Sequence, residues 1–264
     1  FTLLKQIAIP PSVVFIDDYA FYECTQLSQL TMDPYRTRIT NNSFQNCPSL
    51  NHFAFDPSIT SIIQFELNQI GNLIEITIPP SVTEIKPYSF NELTSLTSIV
   101  VPPSVAEISE NAFFGCSKLT EITIDPYQSH VNVNSFNNCP FLKHLIFNET
   151  VTSIQFREWR RFGKLTEITI PDSVTSIRSL SFKGCSSLKS IVIPSSVTEI
   201  GSGAFSGCSE LEEIVIPDSI TKIGSHAFSG CLKLVNINLP TSITDIGNNT
   251  FFFCSALKQV ELPN

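Results

Sequence analysis

The chain has 264 residues, 42% hydrophobic and 15% charged, with 21 Phe and one Trp, enough apolar material for a core and too much for a disordered chain. Its net charge of -8 is the wrong sign for a face that neutralises phosphates, so nucleic acid is excluded as an expected partner. No run approaches the ~18 consecutive apolar residues of a spanning helix, so no membrane insertion by this segment is expected.

One period runs the whole length. Leu27, Leu50, Leu73, Leu96, Leu119, Leu142, Leu165, Leu188, Leu211, Leu234 and Leu257 stand 23 residues apart without a gap. Such self-similarity means stacked units that bury a continuous core between neighbours. Within a unit the elements follow in order. In Leu165-Thr-Glu-Ile168-Thr-Ile170 apolar and polar residues alternate, which predicts a half-buried strand. Pro171 stops it, having no N–H for the ladder. The β-branched Val-Thr-x-Ile stretch that follows predicts a second short strand, and Ala-Phe-x-x-Cys a tight helical turn. Phe recurs in that turn at 21, 44, 90, 113, 136, 182, 205, 228 and 251, with Leu67 and Trp159 in the remaining turns.

The pattern Leu-x-x-Ile-x-Ile-Pro-x-Ser-Val-Thr-x-Ile-Gly-x-x-Ala-Phe-x-x-Cys, clearest from Leu188 to Cys208, resembles the BspA-like (Treponema-type) leucine-rich repeats. The resemblance covers the whole chain. It implies a single leucine-rich repeat domain over residues 1–264, a right-handed, horseshoe-curved solenoid of ~11 repeats of 23 residues. Parallel strands would line its concave face, with short strands and helical turns on the convex side. It also implies a non-catalytic cell-surface or secreted adhesion module, surface antigen-like. The expected partner is then a host extracellular-matrix protein, a cell-surface protein or a glycan, with no cofactor. A receptor or ligand-sensing ectodomain and an intracellular repeat scaffold remain alternatives. Phe1 and Pro263-Asn264 cut across apolar units where polar caps are expected. The sequence therefore reads as a fragment of a longer chain, with signal and anchor not visible in this segment.

A second period overlies the first. Asp33-Pro-Tyr to Cys47 matches Asp125-Pro-Tyr to Cys139, 92 residues later, which suggests a duplicated four-repeat block, 33–124 and 125–216. All eight Cys share one repeat position, where other turns place Ile70, Leu93 and Phe162. A slot that accepts those residues is apolar and buried, which predicts free thiols rather than a disulfide framework.

The residue before each first strand Ile is expected to face solvent: His52, Glu75, Ser98, Glu121, His144, Glu167, Ser190, Glu213. Ser, His and Glu on one surface invite a hydrolase reading. But His144 stands two rungs from either Ser, about 10 Å at ladder spacing, and nucleophile and base must meet at ~3 Å. No enzyme is expected. His52, Glu75, Glu121, His144, Glu167 and Glu213 are instead candidate partner contacts. A second exposed row, Ala54, Thr77, Val100, Thr123, Ile146, Thr169, Val192, Val215 and Asn238, leans apolar, as a docking surface would.

Gln155 to Lys164 breaks the chemistry of the repeat, with Arg157, Arg160, Arg161 and Lys164 around Trp159. The register puts Trp159 in the core Phe slot. The four cations are candidate contacts for an acidic partner or a sulfated glycan. Asn41, Asn148 and Asn248 head Asn-x-Ser/Thr sequons and are candidate N-glycosylation sites.

Overall fold

The computed structural model describes residues 3–40, 42–65, 67, 70, 72–132, 134–155 and 165–261. The chain forms two compact units, Phe1–Leu142 and Lys143–Asn264. The first carries β1 (Gln6–Ala8), β2 (Phe15–Ile16), β3 (Gln29–Met32), β4 (Arg38–Ile39), β5 (His52–Phe55), β6 (Ser61–Ile62), β7 (Glu75–Thr77), β8 (Glu84–Ile85), β9 (Ser98–Val100), β10 (Glu107–Ile108), β11 (Glu121–Ile124) and β12 (His130–Val131). The second carries β13 (His144–Phe147), β14 (Ser153–Ile154), β15 (Glu167–Thr169), β16 (Ser176–Ile177), β17 (Ser190–Val192), β18 (Glu199–Ile200), β19 (Glu213–Val215), β20 (Lys222–Ile223), β21 (Asn236–Asn238), β22 (Asp245–Ile246) and β23 (Gln259–Glu261).

Odd-numbered strands pair with odd and even with even, always in parallel. The register advances by one repeat per strand: Ile168 lies beside Ile191 and Ile191 beside Ile214, while Ile200 lies beside Ile223. Each unit is therefore the leucine-rich repeat solenoid that the period predicts. Between the two strands of a turn, proline makes a tight corner. The carbonyls of Pro171, Pro194, Pro217 and Pro240 accept the N–H three residues on, at 3.0–3.1 Å. A serine after the corner then donates to the turn before, as Ser196 Oγ does to Val174 O (2.6 Å) and Ser219 Oγ to Val197 O (2.6 Å).

The Ala-Phe-x-x-Cys segment is not helical. No α-helix forms among the described residues. In the turn around Phe205 alternate N–H groups point two ways. Ala204, Ser206 and Cys208 donate three residues back, while Gly203, Phe205 and Gly207 donate to Ser225, Ala227 and Ser229 of the next turn (2.8 Å each). The cause is positive φ at Gly203 (62°) and Gly207 (77°), which flips peptides that a helix would align. The third side of the solenoid is thereby hydrogen-bonded from turn to turn as the strands are, and few backbone groups are orphaned.

Those two positive-φ columns are not all glycine. Tyr19 (62°), Glu23 (56°), Tyr88 (59°), Glu92 (56°) and Phe253 (56°) occupy them too. A side chain there costs about 1–2 kcal/mol relative to glycine.

Phenylalanines fill the centre. Phe90 stacks on Phe113 at 5.0 Å in the first unit, and Phe182, Phe205 and Phe228 stack at 5.2 and 5.4 Å in the second. Ring spacing follows the rung spacing of ~4.8 Å. The cysteines are free, and each of six donates its thiol to a Phe carbonyl one turn back. Cys116 Sγ bonds Phe90 O (3.0 Å), Cys208 Sγ bonds Phe182 O and Cys231 Sγ bonds Phe205 O (3.3 Å each). The slot is apolar, as expected, but Cys also supplies a donor that Ile or Leu lacks.

That burial has a pH consequence. The Cys208 thiol is pushed well up by its hydrogen bond with the Cys185 thiol and by burial, and burial pushes Cys231 up. A thiol raised in the fold is protonated there when the unfolded thiol, near pH 8.5, has already ionised. Stability is then intact below about pH 8.5 and falls as pH rises, by roughly 1.4 kcal/mol per pH unit per thiol. Urea midpoints should drop between pH 8 and pH 10, and the drop should shrink in Cys208→Val/Cys231→Val. An equal drop in that variant would assign it elsewhere.

In the first unit the Tyr35 hydroxyl departs from the bonding of the regular turns. The Tyr35 hydroxyl donates to Ile63 O (3.0 Å) and accepts from Ile63 N–H (2.8 Å). It thereby serves both backbone groups of Ile63, the residue after β6. Burial raises the phenol to about 12. Asp33 fixes the approach, its Oδ1 accepting the Tyr35 N–H at 2.9 Å.

Candidate functional site

The strand faces expose the rows that alternation predicts, because the buried residues Ile76, Ile99, Ile168, Ile191 and Ile214 force their neighbours outward. In the first unit His52 sits in register with Glu75. Its Nε2 lies 2.8 Å from Thr77 Oγ1, and its Nδ1 lies 4.0 Å from Glu75 Oε2, an ion pair whenever the ring is protonated. In the second unit His144 sits in register with Glu167, and its Nε2 lies 2.8 Å from Thr169 Oγ1. The two units thus carry the same diagonal His–Thr hydrogen bond.

The diagonal also changes what is exposed. Ala54, expected in the outer row, is only 7% exposed. It pairs with Thr77, so the His52 ring reaching that threonine passes beside it. Ile146 is likewise half-buried next to the His144–Thr169 bond. Val100, Val192 and Val215 stay open, at 56%, 72% and 71% exposure.

No catalytic set assembles from these residues. His144, Glu167 and Ser190 stand on three successive strands, β13, β15 and β17. The histidine therefore has a glutamate, not the serine, for its neighbour. Glu121 is in register with Ser98, and Glu213 with Ser190.

Each unit has a groove on its strand face. In the second, an open groove of about 720 Å³ lies beside Glu212, Glu213, Val215, Lys233, Asn236 and Asn238. Lys233 Nζ is held by Glu210 at 2.6 Å, which leaves the groove with an acidic and apolar lining. In the first, about 330 Å³ lies beside Glu75, Thr77, Ser98, Val100 and Pro102. Glu212 and the groove itself were not singled out from the sequence, although Glu212-Glu213 is a doubled acid where only Glu75, Glu121 and Glu167 stand singly in other turns.

Arg157, Arg160, Arg161 and Lys164 lie outside the described residues, as do Trp159 and Asn41. Asn148 is half-buried, and its Oδ1 accepts the Thr150 N–H at 3.1 Å. Asn248 is exposed, but the Thr250 hydroxyl of its sequon is buried, donating to Gly247 O at 2.7 Å.

A family model described as BspA type leucine rich repeat region, in six copies, matches residues 1–105, 60–189 and 175–264. It indicates no enzymatic family. Among solved structures, the chain is similar to a leucine-rich repeat protein from Bacteroides ovatus, at 26% identity over 97% of this chain and 60% of that one, with a TM-score of 0.40. A leucine rich cell surface protein from Faecalibacterium prausnitzii is 24% identical over 97% of this chain and 87% of that one, with a TM-score of 0.33. The pneumococcal vaccine antigen PcpA is 20% identical over 97% and 61%, with a TM-score of 0.39. The chain spans 60% of the length of the Bacteroides ovatus protein. A search of curated proteins found no match.

Proposed function

The chain belongs to the BspA-type leucine-rich repeat family, and from that premise we propose that it is a non-catalytic adhesion module. It is displayed at a cell surface and binds a host matrix or cell-surface protein through its strand faces. The supporting observation is the pairing of open valines with unneutralised acids. Val192 and Val215 are about 70% exposed on strands that also carry Glu213 and border Glu167. Isolated exposed apolar residues need no explanation, but neighbouring ones beside a groove mark contact surfaces. His52, Glu75, Glu121, His144, Glu167 and Glu213 are the polar contacts of this reading. Arg157, Arg160, Arg161 and Lys164 form its basic contact for an acidic protein or a sulfated glycan.

Immobilised fibronectin, laminin and collagen test it directly. Saturable binding to at least one is expected, weakened about tenfold or more by Val192→Asp/Val215→Asp, since a charge would be buried unpaired in the interface. Binding to none of them would remove the adhesion reading. Charge reversal at Arg157, Arg160 and Arg161 should weaken binding through the basic turn, and unchanged affinity would retire that turn. The free thiols favour one second reading, an intracellular scaffold, because thiols persist in reducing compartments. Fractionation of the source cells separates the two: recovery in the cytosol supports the scaffold and recovery at the surface rejects it.

A further inference from the structure

On the strand face of the second unit an open apolar pair lies beside a line of acids. Val192 and Val215 are in register on β17 and β19 and both are exposed, and Val215 lines the open groove of about 720 Å³. Two residues earlier on these strands Ser190 and Glu213 are in register, and Glu167 of β15 continues their line on the other side of Ser190. Glu167, Ser190 and Glu213 are exposed, and their side chains have no hydrogen-bond or ion-pair partner among the described residues. The cationic side chains beside them serve other groups. Lys233 is held by Glu210 at 2.6 Å, and Lys189 lies beside Glu212, whose N–H donates to the Lys189 carbonyl. His144, in register with Glu167, has its Nε2 on Thr169 Oγ1.

The two rows share the spacing of any extended chain. Side chains on one face of a strand recur every second residue, ~6.8 Å apart, which is the step from Ser190 to Val192. A partner strand laid over β17 therefore meets both rows with residues two apart. An ammonium above Ser190 has a carboxylate one rung away on each side, at ~4.8 Å. It carries three donors, and Glu167, Ser190 and Glu213 offer an acceptor each. A guanidinium fork matches one carboxylate, not two on opposite sides.

We propose that this face takes an extended, lysine-bearing segment of a partner protein, its lysine between Glu167 and Glu213 and an aliphatic residue two positions away on Val192 and Val215. This occupant rests on the adhesion reading, in which the strand face is the contact surface, and gives that contact its chemistry. Charge complementarity selects it: a second copy of this face, or a sulfated glycan, would bring like charges together. The first unit repeats Glu75, Ser98 and Glu121 but has Thr123 where the second has Val215, so it should hold such a segment more weakly.

The probe is a fluorescein-labelled peptide with the core Leu-Thr-Lys-Thr-Leu, which presents the same spacing in either chain direction. It is titrated into the full chain at low ionic strength and followed by anisotropy. Saturable binding is expected. The scramble Thr-Leu-Lys-Leu-Thr, which puts lysine and leucine on opposite faces, should bind about fivefold more weakly. Glu167→Gln/Glu213→Gln keeps the shape and removes the charge, and should weaken binding about tenfold. Asp172→Asn/Asp218→Asn removes as much charge from exposed corners of the same unit and should leave the affinity unchanged. No binding by the unaltered chain, equal affinity for the scramble, or an affinity in Glu167→Gln/Glu213→Gln equal to that of the aspartate control would overturn the proposal. Self-association of the chain that excludes the peptide would also overturn it, by giving the face to a second copy. Matrix binding lost in Val192→Asp/Val215→Asp but kept in Glu167→Gln/Glu213→Gln would reject the lysine-bearing occupant while the adhesion reading stands. Peptide binding of the expected pattern with no matrix binding would do the reverse.

Discussion

Phe205→Ala should cost the second unit about 3–5 kcal/mol, the range for emptying an aromatic core site. Phe205 is fully buried, stacked 5.2 Å from Phe182 and 5.4 Å from Phe228. Its backbone also ties two turns together: its carbonyl accepts from the Cys208 N–H of its own turn and the Cys231 thiol of the next, and its N–H donates to Ala227 O of that next turn. A gap in one rung removes contacts from both neighbours, and in a repeat array each rung is stabilised chiefly by the next. Phe205→Leu should cost less, about 1 kcal/mol, because the equivalent position of the first unit accepts Leu67 at 1% exposure. Urea denaturation of the two variants measures the difference. Equal losses would mean that the slot requires ring stacking and not merely volume.

The second large effect is expected at a corner with no room. A Cβ on Gly224 would stand 2.4 Å from Ser202 N and 2.7 Å from Ser202 Cα, both backbone atoms that cannot rotate away. Gly224→Ala should therefore push two turns apart and cost about 1–3 kcal/mol, as overpacking does. Gly184→Ala is the control. Its φ is +75° but nothing lies within 4 Å of the added atom, so only the backbone cost of about 1–2 kcal/mol applies. Amide exchange distinguishes the mechanisms. Gly224→Ala should expose the amides of Gly201 and Gly224, which donate to Ile177 and Ile200 of the preceding turns. Protection unchanged at both would show that the corner absorbs a methyl.

The same corner takes Arg178, Asn132 and Ser109 in other turns, which explains what was and was not legible beforehand. Period and alternation specified the strands, since burying Ile168 and Ile170 leaves only one way to orient Glu167 and Thr169. The cysteine slot was legible because Ile70 and Leu93 share it. The bond from each thiol to a Phe carbonyl was not, since it joins residues 26 apart and no local pattern records it. Ala-Phe-x-x-Cys read as helical because its apolar residues fall at helical spacing. Positive φ at Gly203 and Gly207 overrode that spacing, and glycine at both ends of the segment was the available sign. On the strand faces, the exposed rows followed from alternation, but the diagonal reach of His52 to Thr77 depends on side-chain length across two strands. Ala54 was misplaced for that reason.

A chain built from near-identical turns can assemble with its ladder slipped by one whole repeat. Every core strand residue would still meet an apolar one, and the hydrophobic pattern would register no error. The Tyr35 hydroxyl can. It reaches Ile63, and a slip of one turn would present Lys86, whose N–H donates to the preceding strand as in the regular turns, so the half-buried phenol would lose that donor. Because Asp-Pro-Tyr recurs only at Tyr127, slips of one, two or three turns cannot be corrected by a second clamp. The tyrosine thus acts as an index mark, converting a repeat with many equivalent alignments into one with a single ground state.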